Sequence, residues 1–220
     1  FAGVIHSPDF DFHEKNLTNM LDSIEHRGPD AEGVWSINNV YLGHRRLSIH
    51  DLSSAGHQPM HSQSMRYTII FNGEIYNFEE LRAQLPSREW RGTSDTEVML
   101  NAIEVWGIEK ALGAFNGMFS FALWDEEDQC LTLARDKFGE KPLYFGLVKG
   151  NLFFASELTC IEAEFGEYLT INRSAIAKQA AVSYIPAPLS IYNEVSKLQA
   201  GSFVQFKGNK LTEIRQFWSL

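Results

Sequence analysis

Four short apolar segments, residues 118–124, 130–134, 143–146 and 152–155, follow one another with gaps of loop length. Parallel strands need a crossover of a dozen residues or more, so runs this close together are spaced as antiparallel neighbours would be. Further extended pieces lie elsewhere. Residues 1–5 read as a short buried strand. Tyr67-Thr-Ile-Ile-Phe71 is a β-rich run that ends at the turn dipeptide Asn72-Gly73. Residues 203–206 and 213–218 again look extended.

Helical periodicity is confined to a few windows. Leu17, Met20, Leu21 and Ile24 recur at i, i+3, i+4 and i+7, and Gly28-Pro29 stops that helix. Asn77-Phe-Glu-Glu80 resembles a capping box that opens a helix through Leu81 and Leu85. Another helix starts near Asp95, carries Val98, Ala102, Ile103 and Trp106 on one face, and stops at Gly107. A modest helix covers residues 173–182. Strands and helices show no regular βαβ alternation, which favours α+β layers over a doubly wound parallel sheet.

Composition removes several function classes. Apolar residues make up 44% and charged residues 21%, as in an ordinary folded soluble protein. The net charge of −9 argues against nucleic acid or an anionic membrane as partner. No apolar run is long enough to span a bilayer, and the first residues carry no basic region of a signal peptide. Cys130 and Cys160 form no paired or metal-spaced motif, so a reduced, cytoplasmic compartment is expected. Both sit in apolar runs read as internal strands, as small buried hydrophobes do. The seven histidines lack metal-ligand spacing, and no phosphate-binding loop occurs.

Three polar clusters could carry chemistry. In Asn72-Gly73-Glu74, the plain structural reading is a hairpin turn; the functional one is an Asn amide and a Gly N–H donating to one oxyanion. In His44-Arg-Arg-Leu-Ser-Ile-His-Asp51, strand alternation puts Arg46, Ser48 and His50 on one face. That is either a solvated basic edge or a site where Arg46 forks a ligand carboxylate. In Gly92-Thr-Ser-Asp-Thr-Glu97, Asp95 reads as a helix N-cap and as the acceptor of a ligand ammonium, two roles that can use different oxygens. Together the clusters supply a cation, an anion and oxyanion donors, a set that fits a free α-amino acid with an acyl group on its side chain.

The same residues resemble the N-terminal glutaminase domain of glutamine-hydrolysing asparagine synthetase, a class II glutamine amidotransferase. The matching segments are His26-Arg-Gly-Pro-Asp30, Gly43-His-Arg-Arg-Leu-Ser-Ile-His-Asp-Leu52, Gly56-His-Gln-Pro-Met60, Phe71-Asn-Gly-Glu-Ile-Tyr-Asn77 and Gly92-Thr-Ser-Asp-Thr-Glu97. Phe115-Asn-Gly-Met-Phe-Ser-Phe-Ala122, Ala134-Arg-Asp-Lys-Phe-Gly139, Lys141-Pro-Leu-Tyr144 and Ala155-Ser-Glu157 follow in the family's order. The resemblance implies the N-terminal-nucleophile hydrolase fold, a four-layer αββα sandwich of two antiparallel sheets. It implies L-glutamine as substrate, with Arg46 on the α-carboxylate, assisted by backbone near Ile49 and His50. Glu74 and Asp95 would hold the α-ammonium, and Asn72 with Gly73 would form the oxyanion hole.

The family's nucleophile is an N-terminal cysteine, whose thiolate attacks the glutamine amide with its own α-amine as base. Phe1-Ala-Gly-Val-Ile5 aligns with the family's third residue onward. The cysteine is therefore expected two residues before Phe1, in a missing Cys-Gly, and residues 1–220 alone are expected to be inert. The family's synthetase domain, in the same polypeptide, would begin near Leu220 and would use ATP and Mg to amidate aspartate. No cofactor is expected within residues 1–220, and a homodimer is compatible with the family. Two other readings stay open: a catalytically dead glutamine-binding or docking module, and a glutaminase that feeds another acceptor such as a cell-surface sugar.

Overall fold

The computed structural model describes residues 1–47, 54–87, 89–208 and 210–220. Among them the chain runs β1 (Ala2–Ile5), α1 (Glu14–Asp22), β2 (Ala31–Ile37), β3 (Val40–Arg46), β4 (Met60–His61) and β5 (Tyr67–Ile75). Then come α2 (Phe78–Gln84), α3 (Asp95–Trp106), α4 (Ile108–Ala114), β6 (Gly117–Asp125), β7 (Cys130–Arg135), β8 (Tyr144–Val148) and β9 (Asn151–Ala155). The last elements are α5 (Leu158–Phe165), α6 (Arg173–Val182), β10 (Val195–Lys197), β11 (Ser202–Lys207), β12 (Lys210–Leu211) and β13 (Arg215–Gln216).

The strands form two antiparallel sheets. One has the order β10-β8-β9-β1-β3-β2, and the other β12-β11-β7-β6-β5-β4 with β13 set against β11. Period-two alternation gives each sheet two apolar faces. Ile5, Leu42, Leu152 and Phe154 of the first sheet meet Ile70, Ala122, Leu131 and Val204 of the second in a core between the sheets. On the outer face of the first sheet, Ala2, Val4 and Phe153 pack under Met20, Leu21, Ile161 and Phe165 of α1 and α5. On the outer face of the second, Ile69, Phe71, Phe121 and Leu123 pack under Val98, Met99, Ile103 and Leu112 of α3 and α4. The result is the expected αββα sandwich.

Packing rather than capping holds the outer helices. Leu17, Met20, Leu21 and Ile24 are each fully buried, and each contributes roughly 1.5–3 kcal/mol. A good cap contributes about 1 kcal/mol, and α1 has only His13 at that position. No helix among the described residues is long and apolar enough to cross a membrane.

Several local expectations are corrected. Asn72-Gly73 is no turn. β5 continues through it to Ile75, because Asn72, Gly73 and Glu74 pair with Ser120, Phe119 and Met118 of β6. Asn77 precedes α2 but does not cap it with its side chain. Its amide instead bridges Ala114 O and Asn116 N, each at 3.0 Å, tying α2 to the end of α4. The four consecutive apolar strands pair two by two, β6 with β7 and β8 with β9, in different sheets. Cys160 lies in helix α5, not in a strand. Of residues 213–218, only Arg215–Gln216 are in a strand.

Candidate active site

One cleft of about 270 Å³ opens where the ends of β1 and β3, the bare edge of β5 and the start of α3 converge. Arg46, Asn72, Gly73, Glu74 and Asp95 all line it, together with Phe1, His44, Gln58, Lys141 and Ser156. Five of the site residues expected from sequence are thus in one place. Ile49 and His50 lie outside the described residues.

The edge of β5 is bare for a topological reason. β4 pairs only with Thr68 and Ile69, so the strand's next edge groups have no strand partner on that side. Side chains take up most of them. Phe71 N–H donates to Gln58 Oε1 at 2.6 Å. Phe71 O accepts from His44 Nε2 at 3.0 Å. Ile75 N–H donates to Asp95 Oδ2 at 2.9 Å. Alternation places the N–H of Gly73, midway between them, on the same edge and facing the cleft. Gly73 has φ of 152°, and a Cβ there would sit 2.1 Å from Met118 O, so no other residue fits. Beside it, the buried Nδ2 of Asn72 has no hydrogen-bond partner among the described residues.

The charged groups are placed by neighbouring elements. Arg46 ends β3 and is 9% exposed. Its neighbour Arg45 alternates to the other face and ion-pairs with Asp22 and Glu32. Asp95 is the first residue of α3, but Ser94 is the cap, accepting from Thr96 N–H at 3.1 Å. The Asp95 carboxylate is thereby left to reach the β5 edge. Glu97, one turn in, accepts from Arg91 and Gly92 N–H at 2.9 and 3.0 Å and shapes the loop before the helix.

The back wall is Phe1, Ser156 and His44. The Phe1 nitrogen lies 2.6 Å from Ser156 Oγ. Burial above all pushes the His44 imidazole down to about 3. A carbonyl can only accept, so Nε2 carries the proton that bonds Phe71 O, and Nδ1 keeps its lone pair. That Nδ1 is also buried without a partner among the described residues.

At the rim, Asp136 anchors the loop that carries Lys141. Its Oδ1 accepts from Phe138 and Glu140 N–H, and its Oδ2 from Phe119 and Lys141 N–H, at 3.0–3.1 Å. Buried Arg135 beside it donates to the carbonyls of Lys141, Leu198 and Gly139. Neither cysteine lines the cleft, and burial raises both thiols above their ordinary range, which disfavours thiolate. His44, Gln58 and Ser156 were not expected as site residues. Each sits inside one of the quoted segments, so the signal was present but gave no role.

As chemistry, the cleft offers a guanidinium, two carboxylates and two adjacent N–H donors around one cavity of about 270 Å³. The family model described as a glutamine amidotransferase domain matches residues 1–218. Asparagine synthetase (glutamine-hydrolyzing) 1 of Bacillus subtilis is 37% identical over 191 residues, covering 86% of this chain and 30% of the relative. A putative asparagine synthetase (glutamine-hydrolyzing) 2 of Methanocaldococcus jannaschii is 35% identical over 225 residues, 93% of this chain and 43% of the relative. Amidase chyE of Penicillium rubens is 35% identical over 205 residues, 93% of this chain and 30% of the relative. The chain therefore spans between about a third and under half of these relatives. Among solved structures, the glutamine phosphoribosylpyrophosphate amidotransferase of B. subtilis has the same fold. Its TM-score is 0.73 at 18% identity, over 99% of this chain and 49% of that one.

Proposed function

The chain belongs to the glutamine amidotransferase domain family, and from that premise we propose that it takes ammonia from L-glutamine in this cleft. One observation carries the reading: Arg46, Asn72, Gly73, Glu74 and Asp95 converge on a single cleft from three strands or loops far apart in sequence. Arg46 forks the α-carboxylate of glutamine. Glu74 and Asp95 take the α-ammonium, Asp95 from the first turn of α3. Asn72 Nδ2 and Gly73 N–H donate to the carboxamide oxygen, and more strongly once it becomes an oxyanion.

The nucleophile in this proposal is a cysteine two residues before Phe1. The β1–β3 register pairs Ala2 with Gly43 and Gly3 with Leu42, and the same ladder continued upstream would bring that residue opposite Arg46, which supports the reading. Its thiolate attacks the carboxamide carbon, a C–S bond forms and the C–N bond breaks. The cysteine's α-amine passes a proton to the departing ammonia, and water then cleaves the thioester to glutamate. Residues 1–220 without that cysteine bind but do not turn over. The ammonia serves a synthetase domain of the same cytoplasmic polypeptide, which uses ATP and Mg to amidate aspartate. That the relatives include one named an amidase, alongside the asparagine synthetases, supports a second reading in which the ammonia feeds a different acceptor, such as a cell-surface sugar.

The test adds Cys-Gly ahead of Phe1 and measures ammonia release from glutamine. Turnover is expected with the addition and none without it. Asp95→Asn in the extended protein weakens glutamine binding by roughly 2–5 kcal/mol, as for a charge pair losing one partner. An extended protein that binds glutamine and releases nothing leaves the docking-module reading standing instead.

A further inference from the structure

Among the described residues, two buried side-chain atoms have no hydrogen-bond partner, and both line this cleft: Asn72 Nδ2, a donor, and His44 Nδ1, an acceptor. Leaving a buried polar atom unpaired destabilises a fold, so two opposite orphans in one cleft point to a ligand that satisfies both. Their partners in the fold are already fixed. His44 Nε2–H is held by Phe71 O, directly before Asn72, so the imidazole and the Asn72 amide are mounted on the same stretch of β5. Arg46, Glu74 and Asp95, among the charges lining the cleft, suit the α-groups of an amino acid. They leave the amide nitrogen of the side chain with two N–H bonds and no assigned acceptor.

We propose that His44 is a specificity-determining residue, whose Nδ1 accepts an N–H of the glutamine carboxamide while Asn72 Nδ2 donates to its oxygen. The inference rests on the glutamine-binding reading above and deepens it. The pair reads a primary amide by its polarity: one acceptor oxygen and one donor nitrogen. An ester of the same shape keeps the oxygen but brings a second acceptor to Nδ1, where two lone pairs face each other. The carboxylate of the product does the same with a charge, so His44 also favours release of glutamate. Burial keeps the imidazole neutral through the physiological range, so the acceptor is not lost to protonation.

The test is binding to the 220-residue chain by calorimetry, with L-glutamine and L-glutamate γ-methyl ester as probes. The wild-type chain should bind glutamine about tenfold or more tightly than the ester, the effect of one unmatched buried acceptor. His44→Gln puts an N–H where Nε2 donates to Phe71 O but removes the Nδ1 acceptor, and should bring the two affinities together. His44→Asn puts an oxygen near the Nδ1 position and should restore much of the preference. Equal wild-type affinities for amide and ester, or a preference that survives in His44→Gln, would overturn the role of His44. The wild-type comparison decides the matter even where a variant fails to fold. If neither probe binds the wild-type chain, the glutamine-binding reading falls with it; if both bind equally, only the His44 inference does.

Discussion

The loop at residues 136–142 and the β5 edge at residues 71–75 are both built from polar groups at strand ends, and they treat those groups in opposite ways. Around Asp136 everything is matched. Four N–H groups converge on one carboxylate, and three carbonyls take the Arg135 guanidinium. Along β5, Phe71 and Ile75 are matched by Gln58, His44 and Asp95, but Asn72 Nδ2 and His44 Nδ1 between them are not. Saturation makes a loop rigid. Deliberate vacancy in an otherwise saturated edge makes a binding site, because the surrounding bonds hold the unmatched groups in place for a ligand.

Three perturbations would break or sharpen this contrast. The largest effect is expected at Asp136. Asp136→Ala strands four backbone donors, that of Phe119 fully buried, and should lower unfolding free energy by roughly 3–5 kcal/mol, read as a shift in the urea midpoint. A shift as small as that of a surface substitution would mean the loop is not held as described. Next comes Asn72→Ala. In the protein carrying Cys-Gly, it should slow ammonia release about 10²–10³-fold while costing less than about 1 kcal/mol in stability, since its Nδ2 serves no bond in the fold. A stability loss matching that of Asp136 would erase the distinction between the two regions. The third perturbation concerns pH. The unfolded His44 takes a proton near its ordinary 6.5, the folded one only near about 3. Its contribution is complete above pH 6.5 and drains by about 1.4 kcal/mol per pH unit as pH falls toward 3. His44→Gln should flatten that part of the stability curve measured by denaturation at pH 4–7; an unchanged slope would remove His44 as its source.

The sequence exposed the charged half of the site better than the orphaned half. Arg46, Glu74 and Asp95 are legible because charge types alone suggest what they meet. Asn72-Gly73 was legible as a donor pair but misread as a turn. Locally that dipeptide is a hairpin signal, and only pairing with β6, 45 residues on, carries the strand through it. α1, α3 and α6 were readable from periodicity or caps. α5 was not, since Leu158-Thr-Cys-Ile161 fits a strand as well as a helix until its packing on Phe153 is known. Asp136 stood only inside a matching segment, and nothing local foretold four backbone donors. His44 was hidden for the same reason: its importance lies in what its far nitrogen lacks, and a missing partner has no sequence signature.

β1 lies inside its sheet, with β9 on one side and β3 on the other, and Phe1 at its upstream end faces the cleft. Whatever precedes Phe1 is threaded into the space where glutamine is proposed to sit. An N-terminal affinity tag would then behave as a tethered competitor, present at an effective concentration on the order of millimolar whatever its intrinsic affinity.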